Sequence, residues 1–135
     1  MINYMLRNQQ RASVLHLDLR RLIAGMHDAG LEFDITTTHR GAMDQEAAHG
    51  SGHSNAHFGQ SPHNYIPALA FDAYPVINGT VDVNDAAALD SFAVEVKAVA
   101  AKMAIAIVWG GDWHSIIDRP HFELANWKAL RGRPQ

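Results

Sequence analysis

The stretch WGGDWHSIIDRPHFEL, Trp109 to Leu124, decides how this sequence is read. Its sixteen residues hold two tryptophans, two glycines, two aspartates and two histidines. AIAIVWGG, from Ala104, reads as a strand running into it, and PHFELA, from Pro120, as a strand leaving it. Gly110 and Gly111 fit a turn that needs positive φ or close backbone approach. A turn between two strands rarely needs so many polar, aromatic and titratable groups, which marks this one as part of a site.

Working outward, ALAFDAYP (Ala68–Pro75) is a short apolar strand, stopped by Pro75, and INGT is a tight-turn signal. LEFDITTTHR alternates Phe33, Ile35 and Thr37 against polar neighbours, predicting a strand that ends at His39 and Arg40. Two longer helices are expected. Ser13 caps the first, with Leu15, Leu19, Leu22, Ile23 and Met26 at helical spacing and Gly30 as its stop. Asn84 or Asp85 caps the second, with Leu89, Phe92, Val96, Val99, Ala100 and Met103 on one face. MDQEAAHG predicts a short helix closed by Gly50, and Gly50 to Pro67 a long loop. With no repeats and no linker, this order predicts one small α+β domain over residues 1–135, its mainly antiparallel sheet packed with the two longer helices.

The composition narrows the chemistry. Apolar residues make up 47% of 135, enough for a core, and the net charge is −3 with eleven scattered Lys and Arg. That leaves no electrostatic footprint for nucleic acid or an anionic membrane. Cysteine is absent, so disulfides and thiolate metal sites are excluded. Nine histidines are an excess, and any transition-metal site must use imidazole and carboxylate ligands, which suits zinc. MINYMLRNQQRASV lacks the pattern of a secretory signal. No stretch approaches the roughly 20 apolar residues of a membrane span. The expectation is a soluble chain made in the cytoplasm.

His63 in SPHNY, Asp72 in LAFDAYP, and Asp118 with His121 in DRPHFEL stand at strand ends or in the long loop. Two histidines and an aspartate could make the three-ligand tripod of a catalytic zinc site, which leaves a position for water. With two residues between them, Asp118 and His121 can share one site without both being ligands, leaving one to move the water's proton. The same residues also read as a turn cap and structural histidines, and His114 stands as an alternative ligand. Spacing alone leaves these readings open.

Taken together, SPHNY…LAFD and WGGDW…DRPHFEL resemble the zinc peptidases of bacterial cell walls. That family comprises D-Ala-D-Ala carboxypeptidases and dipeptidases together with L-alanyl-D-glutamate endopeptidases of the phage endolysin type. The resemblance runs from about Thr37 to Leu124 and implies a catalytic core of about residues 33–126, with the zinc site at one end of the sheet. It implies zinc ligands at His63, Asp72 and His121 and a catalytic carboxylate at Asp118. It also implies substrate contacts at Arg40, at Ser61 and at Gln45. The chain departs from the family in spacing: Asp72 follows His63 by nine residues rather than seven, and YIPAL replaces a glycine segment. The carboxylate before the last histidine is Asp, as in the endopeptidase branch, where the carboxypeptidases more often carry Glu.

The implied activity is hydrolysis of the L-Ala–D-Glu bond in peptidoglycan stem peptides. The implied setting is a monomeric phage endolysin that reaches the periplasm after holin-type release and lyses the host. A D-Ala-D-Ala carboxypeptidase is the nearest alternative, and a non-catalytic wall-binding domain an alternative of another class. His49, His53 and His57 are four residues apart, but Gly50, Gly52, Ser54 and Gly59 argue against a helix through them. They are read as a solvated loop, a substrate-facing loop or an adventitious metal binder. Trp109 and Trp113 are read as packing around the site. Glu123 shares a strand face with His121, so it is read as supporting that residue or as exposed.

Overall fold

A computed structural model describes residues 1–135. Five helices flank one antiparallel sheet: α1 (Tyr4–Arg11), α2 (Leu17–Asp28), α3 (Ala42–Gly50), α4 (Ala86–Lys102) and α5 (Trp127–Leu130). The strands are β1 (Phe33–Thr37), β2 (Ala70–Ile77), β3 (Thr80–Val81), β4 (Ile107–Trp109) and β5 (His121–Leu124). Their order is β1-β2-β5-β4, with β3 added beside β2. This is the α+β fold expected from the alternation of strand and helix signals.

Strand alternation separates two functions on one sheet. Phe71 pairs with Phe122, and the rings stack with centroids 5.4 Å apart. They meet Phe92 of α4 in the core that Leu19, Leu22, Ile23 and Met26 of α2 complete. The next position along, Asp72 opposite His121, faces the other side of the sheet, and Ala70 opposite Glu123 follows two residues on. Each fully buried Leu, Ile or Phe stabilises the fold by about 1.5–3 kcal/mol. That apolar face therefore fixes the register that places the polar one.

Several expectations about elements need correction. Ser13 does not cap α2; it lies in a short 3₁₀ turn (Ala12–Val14), and α2 starts at Leu17 with the His16 ring accepting from Asp18 N–H at 3.1 Å. The helix cannot start earlier because the chain there is tied to Ala68: its N–H donates to Val14 O, and its O accepts from His16 N–H, both at 2.8 Å. Leu15 is buried through that bridge rather than on a helix face.

Pro75 does not stop β2, which runs on to Ile77. Val76, not Pro75, donates to β1, at Glu32 O. Pro75 faces Phe33 in the pair that exchanges no hydrogen bonds, so its missing N–H removes nothing from that ladder.

The N-terminal segment also forms a helix that the sequence reading left out. Asn3 caps α1, and Asn8, fully buried, donates to Phe33 O and accepts from Ile35 N–H. Arg7 closes on Asp34 at 2.7 Å. β1 ends at Thr37, short of the expected His39 and Arg40, and β4 holds only Ile107–Trp109 of AIAIVWGG, while Gly30 at φ 83° after α2 and Asp85 capping α4 follow their signals. No helix is long and apolar enough to cross a membrane.

Candidate metal centre

Four separate segments converge at one end of the sheet. His63 comes from a 3₁₀ turn (Pro62–Asn64) in the long loop; Ser61 caps that turn by accepting from His63 N–H at 3.2 Å. Asp72 and His121 come from the paired strands β2 and β5. All three side chains are buried, in a region where unpaired polar groups would be destabilising.

Their inward atoms form a nearly equilateral triangle. His63 Nε2 lies 3.2 Å from His121 Nδ1 and 3.3 Å from Asp72 Oδ1, and His121 Nδ1 lies 3.2 Å from Asp72 Oδ1. Ligands held tetrahedrally at zinc–nitrogen and zinc–oxygen distances are separated by about 3.3 Å. The three donors therefore already stand at the spacing such an ion needs, and their N₂O chemistry suits it.

The outward atoms are fixed as well. His63 Nδ1 meets Thr38 O at 2.7 Å, and His121 Nε2 meets Glu123 Oε1 at 2.8 Å. Each ring is held by its far nitrogen, the arrangement that orients metal-ligating histidines. Without a cation the protons arrange themselves around the same triangle. Burial works to raise the Asp72 carboxyl, but His63 and His121 overcome it and hold it far below the usual range. Burial would lower His121; its bonds to Asp72 and Glu123 outweigh that and push it up to about 9.

Asp118 stands half-buried at the mouth, at the end of the turn that began with Trp109. Gly110 makes the turn possible. Its carbonyl accepts from Asp118 N–H at 3.0 Å, and a Cβ there would lie 2.3 Å from Asp118 O and 3.1 Å from His121 Cβ. Gly111 presses on the Trp109 ring in the same way, so close approach rather than positive φ explains both glycines. Burial, then the nearby Asp72 charge, raises the Asp118 carboxyl above its ordinary value, against the pull of His121, His63 and Arg40.

Arg40 reaches the site from the segment after β1, with Nη2 3.9 Å from Asp72 Oδ2 and Nη1 3.3 Å from Gln45 Oε1. Arg40, His63, Asp118 and His121 line one cleft of about 340 Å³, with Trp113 and Lys128 on its rim. Ser61 also borders it, although its hydroxyl is engaged in the cap.

Gln45 takes a different place from the one its expected substrate contact requires. It is wholly buried, donating to Ser54 Oγ and Ala56 O and accepting from Asn64, which leaves it no surface for substrate. It positions Arg40 and the loop instead. Asn64 is a hub that sequence reasoning missed: it donates to Arg40 O and accepts from the Gly59 and Ser61 N–H groups. Its signal was the Ser61-x-x-Asn64 spacing, a relative of the capping box.

His114 is exposed and stands outside the triangle. Trp109 packs in the core and donates to Arg119 O, while Trp113 lies against His121 with centroids 4.9 Å apart. Glu123 is buried on His121 rather than exposed.

Comparison with known proteins agrees with this geometry. A family model described as D-alanyl-D-alanine carboxypeptidase matches residues 54–124, a span that holds His63, Asp72, Asp118 and His121. The crystal structure of the L-Ala D-Glu endopeptidase ChiX of Serratia marcescens is similar over 95% of this chain and 93% of that one. The TM-score is 0.79 and the sequence identity 25%. The chain belongs to the D-alanyl-D-alanine carboxypeptidase family of peptidases.

Proposed function

We propose that this family member is a zinc-dependent peptidoglycan endopeptidase that hydrolyses the L-Ala–D-Glu bond of stem peptides. His63, Asp72 and His121 hold the metal, and Asp118 is the catalytic carboxylate. One observation carries the reading: three buried donors about one tetrahedral edge apart, with a carboxylate of raised pKa at the same cleft.

Zinc bound by that triangle supplies Lewis acidity to the scissile carbonyl and to the attacking water. The protein's own groups do the rest. A carboxylate oxygen of Asp118 takes the proton of the water as it attacks and returns it to the leaving amine; a carboxyl held above its ordinary value is the stronger base for the first task. The Arg40 guanidinium, beside Asp72 and anchored through Gln45, faces the developing oxyanion or a substrate carboxylate. Glu123 and Thr38 keep the two imidazoles aimed inward. Trp113 and the loop before His63 line the same cleft.

The endopeptidase choice is supported by Asp rather than Glu at position 118 and by the likeness to a solved L-Ala D-Glu endopeptidase. The family model's description favours the carboxypeptidase reading, which uses the same chemistry on the terminal D-Ala. Mass spectrometry of digested peptidoglycan separates them: split L-Ala–D-Glu bonds support the proposal, and release of terminal D-Ala alone overturns it. A phage endolysin working as a monomer after holin-type release is the setting that the resemblance suggests. Its test is lysis of the producing cell only when a holin is co-expressed.

A further inference from the structure

Besides its histidines, the cleft is bordered by two basic side chains, Arg40 and Lys128, and the fold uses them differently. Arg40 is pulled inward, its Nη2 3.9 Å from Asp72 Oδ2 and its Nη1 3.3 Å from Gln45 Oε1. Its guanidinium is thereby held beside the donor triangle. Lys128 stands exposed on the rim, on the short helix α5. That helix is anchored by Trp127, which belongs to the core with its ring centroid 6.1 Å from that of Tyr65. The Trp127 carbonyl accepts from the Arg131 N–H at 2.9 Å, which fixes the turn. Lys128 Nζ lies 5.8 Å from the centroid of the same indole, so the ammonium rests against a wall of the cleft. No carboxylate of the chain pairs with it. Glu123 is engaged by His121, whereas Lys97, elsewhere on the surface, closes on Asp112 at 2.7 Å.

An unpaired ammonium at the edge of a cleft that takes an anionic peptide is a recognition group. The inference rests on the L-Ala–D-Glu reading. The stem peptide continues through the γ-carboxyl of D-Glu, so the α-carboxylate stays free on the carbon that bears the scissile nitrogen. Arg40, committed to Asp72 and Gln45 beside the triangle, serves the carbonyl side of that bond. The carboxylate lies on the amine side and needs a second cation. We propose that Lys128 is a specificity-determining residue that binds the α-carboxylate of D-Glu. The carboxylate takes no part in bond-making, so the ion pair is the same in the bound substrate and in the transition state. It therefore lowers KM and leaves kcat nearly untouched. The same contact makes the cleft prefer D-Glu over its α-amide, which offers no charge to Lys128.

The test uses the zinc-loaded full chain and two synthetic peptides, N-acetyl-L-Ala-γ-D-Glu-L-Lys and the same peptide with the D-Glu α-carboxylate amidated. Fragment release followed by mass spectrometry gives kcat and KM for each. The wild type is expected to show a KM about tenfold or more lower for the acid than for the amide. Lys128→Met raises KM for the acid by that factor, keeps kcat within about twofold and leaves KM for the amide unchanged. Lys128→Arg, which keeps the charge, restores most of the preference. A wild type without preference between the peptides overturns the inference, as does a Lys128→Met loss that is absent or equal on both. A wild type that splits the L-Ala–D-Glu bond of neither peptide overturns the reading beneath it, and the inference falls with it. Cleavage that is indifferent to Lys128 leaves that reading standing and removes only the role of the lysine.

Discussion

Asp72 and His121 are cross-strand partners in the β2–β5 ladder, with Oδ1 and Nδ1 3.2 Å apart, while the adjacent pair, Phe71 and Phe122, stacks on the opposite face. One register therefore builds the core and two corners of the donor triangle. Shifting either strand by one residue would send its own polar group into the core and separate the pair, so the site is as well ordered as the packing behind it.

Removing the third corner leaves this pair intact but incomplete. His63→Ala is expected to lose metal at this site and detectable hydrolysis, as counted by elemental analysis and by release of stem-peptide fragments. Chelation lowers the melting temperature of the wild type, because a ligand of the native state no longer adds to stability. A melting temperature of His63→Ala that falls equally on chelation would contradict the assignment.

Glu123 would act on a bound metal through His121. Glu123→Gln keeps the shape and a weaker hydrogen bond to Nε2, and is expected to lower metal affinity about 10–100-fold with the fold retained. Competition against a chromophoric chelator measures this. An unchanged affinity would show that the buried carboxylate serves packing alone.

Asp118→Asn separates proton transfer from metal binding. It is expected to leave metal content unchanged and to reduce kcat by about 10²–10⁴, the usual worth of a positioned acid–base group. Activity of the wild type falls as pH drops through the raised pKa of Asp118, since the base form is needed. A full-activity variant with bound metal would sink the role.

The metal-free protein carries a pH signature of its own. His121 is raised from 6.5 to about 9, so its contribution is fully present below pH 6.5 and is lost as pH rises through 9. Asp72 is lowered, so its contribution is present above 3.8 and is lost as pH falls. Melting temperature of the apoprotein should therefore decline on the alkaline side near pH 9. A metal must also displace the His121 proton, so apparent affinity should rise about tenfold per pH unit between 7 and 9. A pH-independent affinity in that range would contradict this protonation scheme.

Gly110→Ala tests the turn. The added Cβ has backbone, not a flexible side chain, 2.3 Å away. The expected result is a loss of about 1–3 kcal/mol by denaturant unfolding, together with a kcat loss from displaced Asp118. Wild-type kcat and stability would mean that the turn relaxes freely.

Much of this was legible in the chain, for identifiable reasons. Strand alternation and helix caps are local, so the sheet, α4 and the end of α2 follow from their own residues. Ser13 misled because a good capping residue was overruled by two backbone bonds to Ala68, more than fifty positions away. Pro75 misled because the rule against proline in strands depends on which neighbour its missing N–H faces. α1 lacked a strong apolar stripe; it is held by Asn8 and Arg7 on β1, partners that no local pattern reveals. Gln45 shows the same limit, since a polar residue beside Arg40 can face substrate or be buried as a strut, and only its partners decide.

By itself the sequence determined the ligand chemistry: no thiolates, an excess of imidazoles, and carboxylates placed at strand ends where a site can form. It also determined that DRPHFEL ends in a strand, which fixes the direction of His121. Only the tertiary structure decided which donors meet and through which atoms. Donor separations of 3.2–3.3 Å depend on the β2–β5 register, the capped turn at Ser61 and the carbonyl of Thr38 acting together. Such distances are set by packing between segments far apart in the chain, and no spacing along the sequence encodes them.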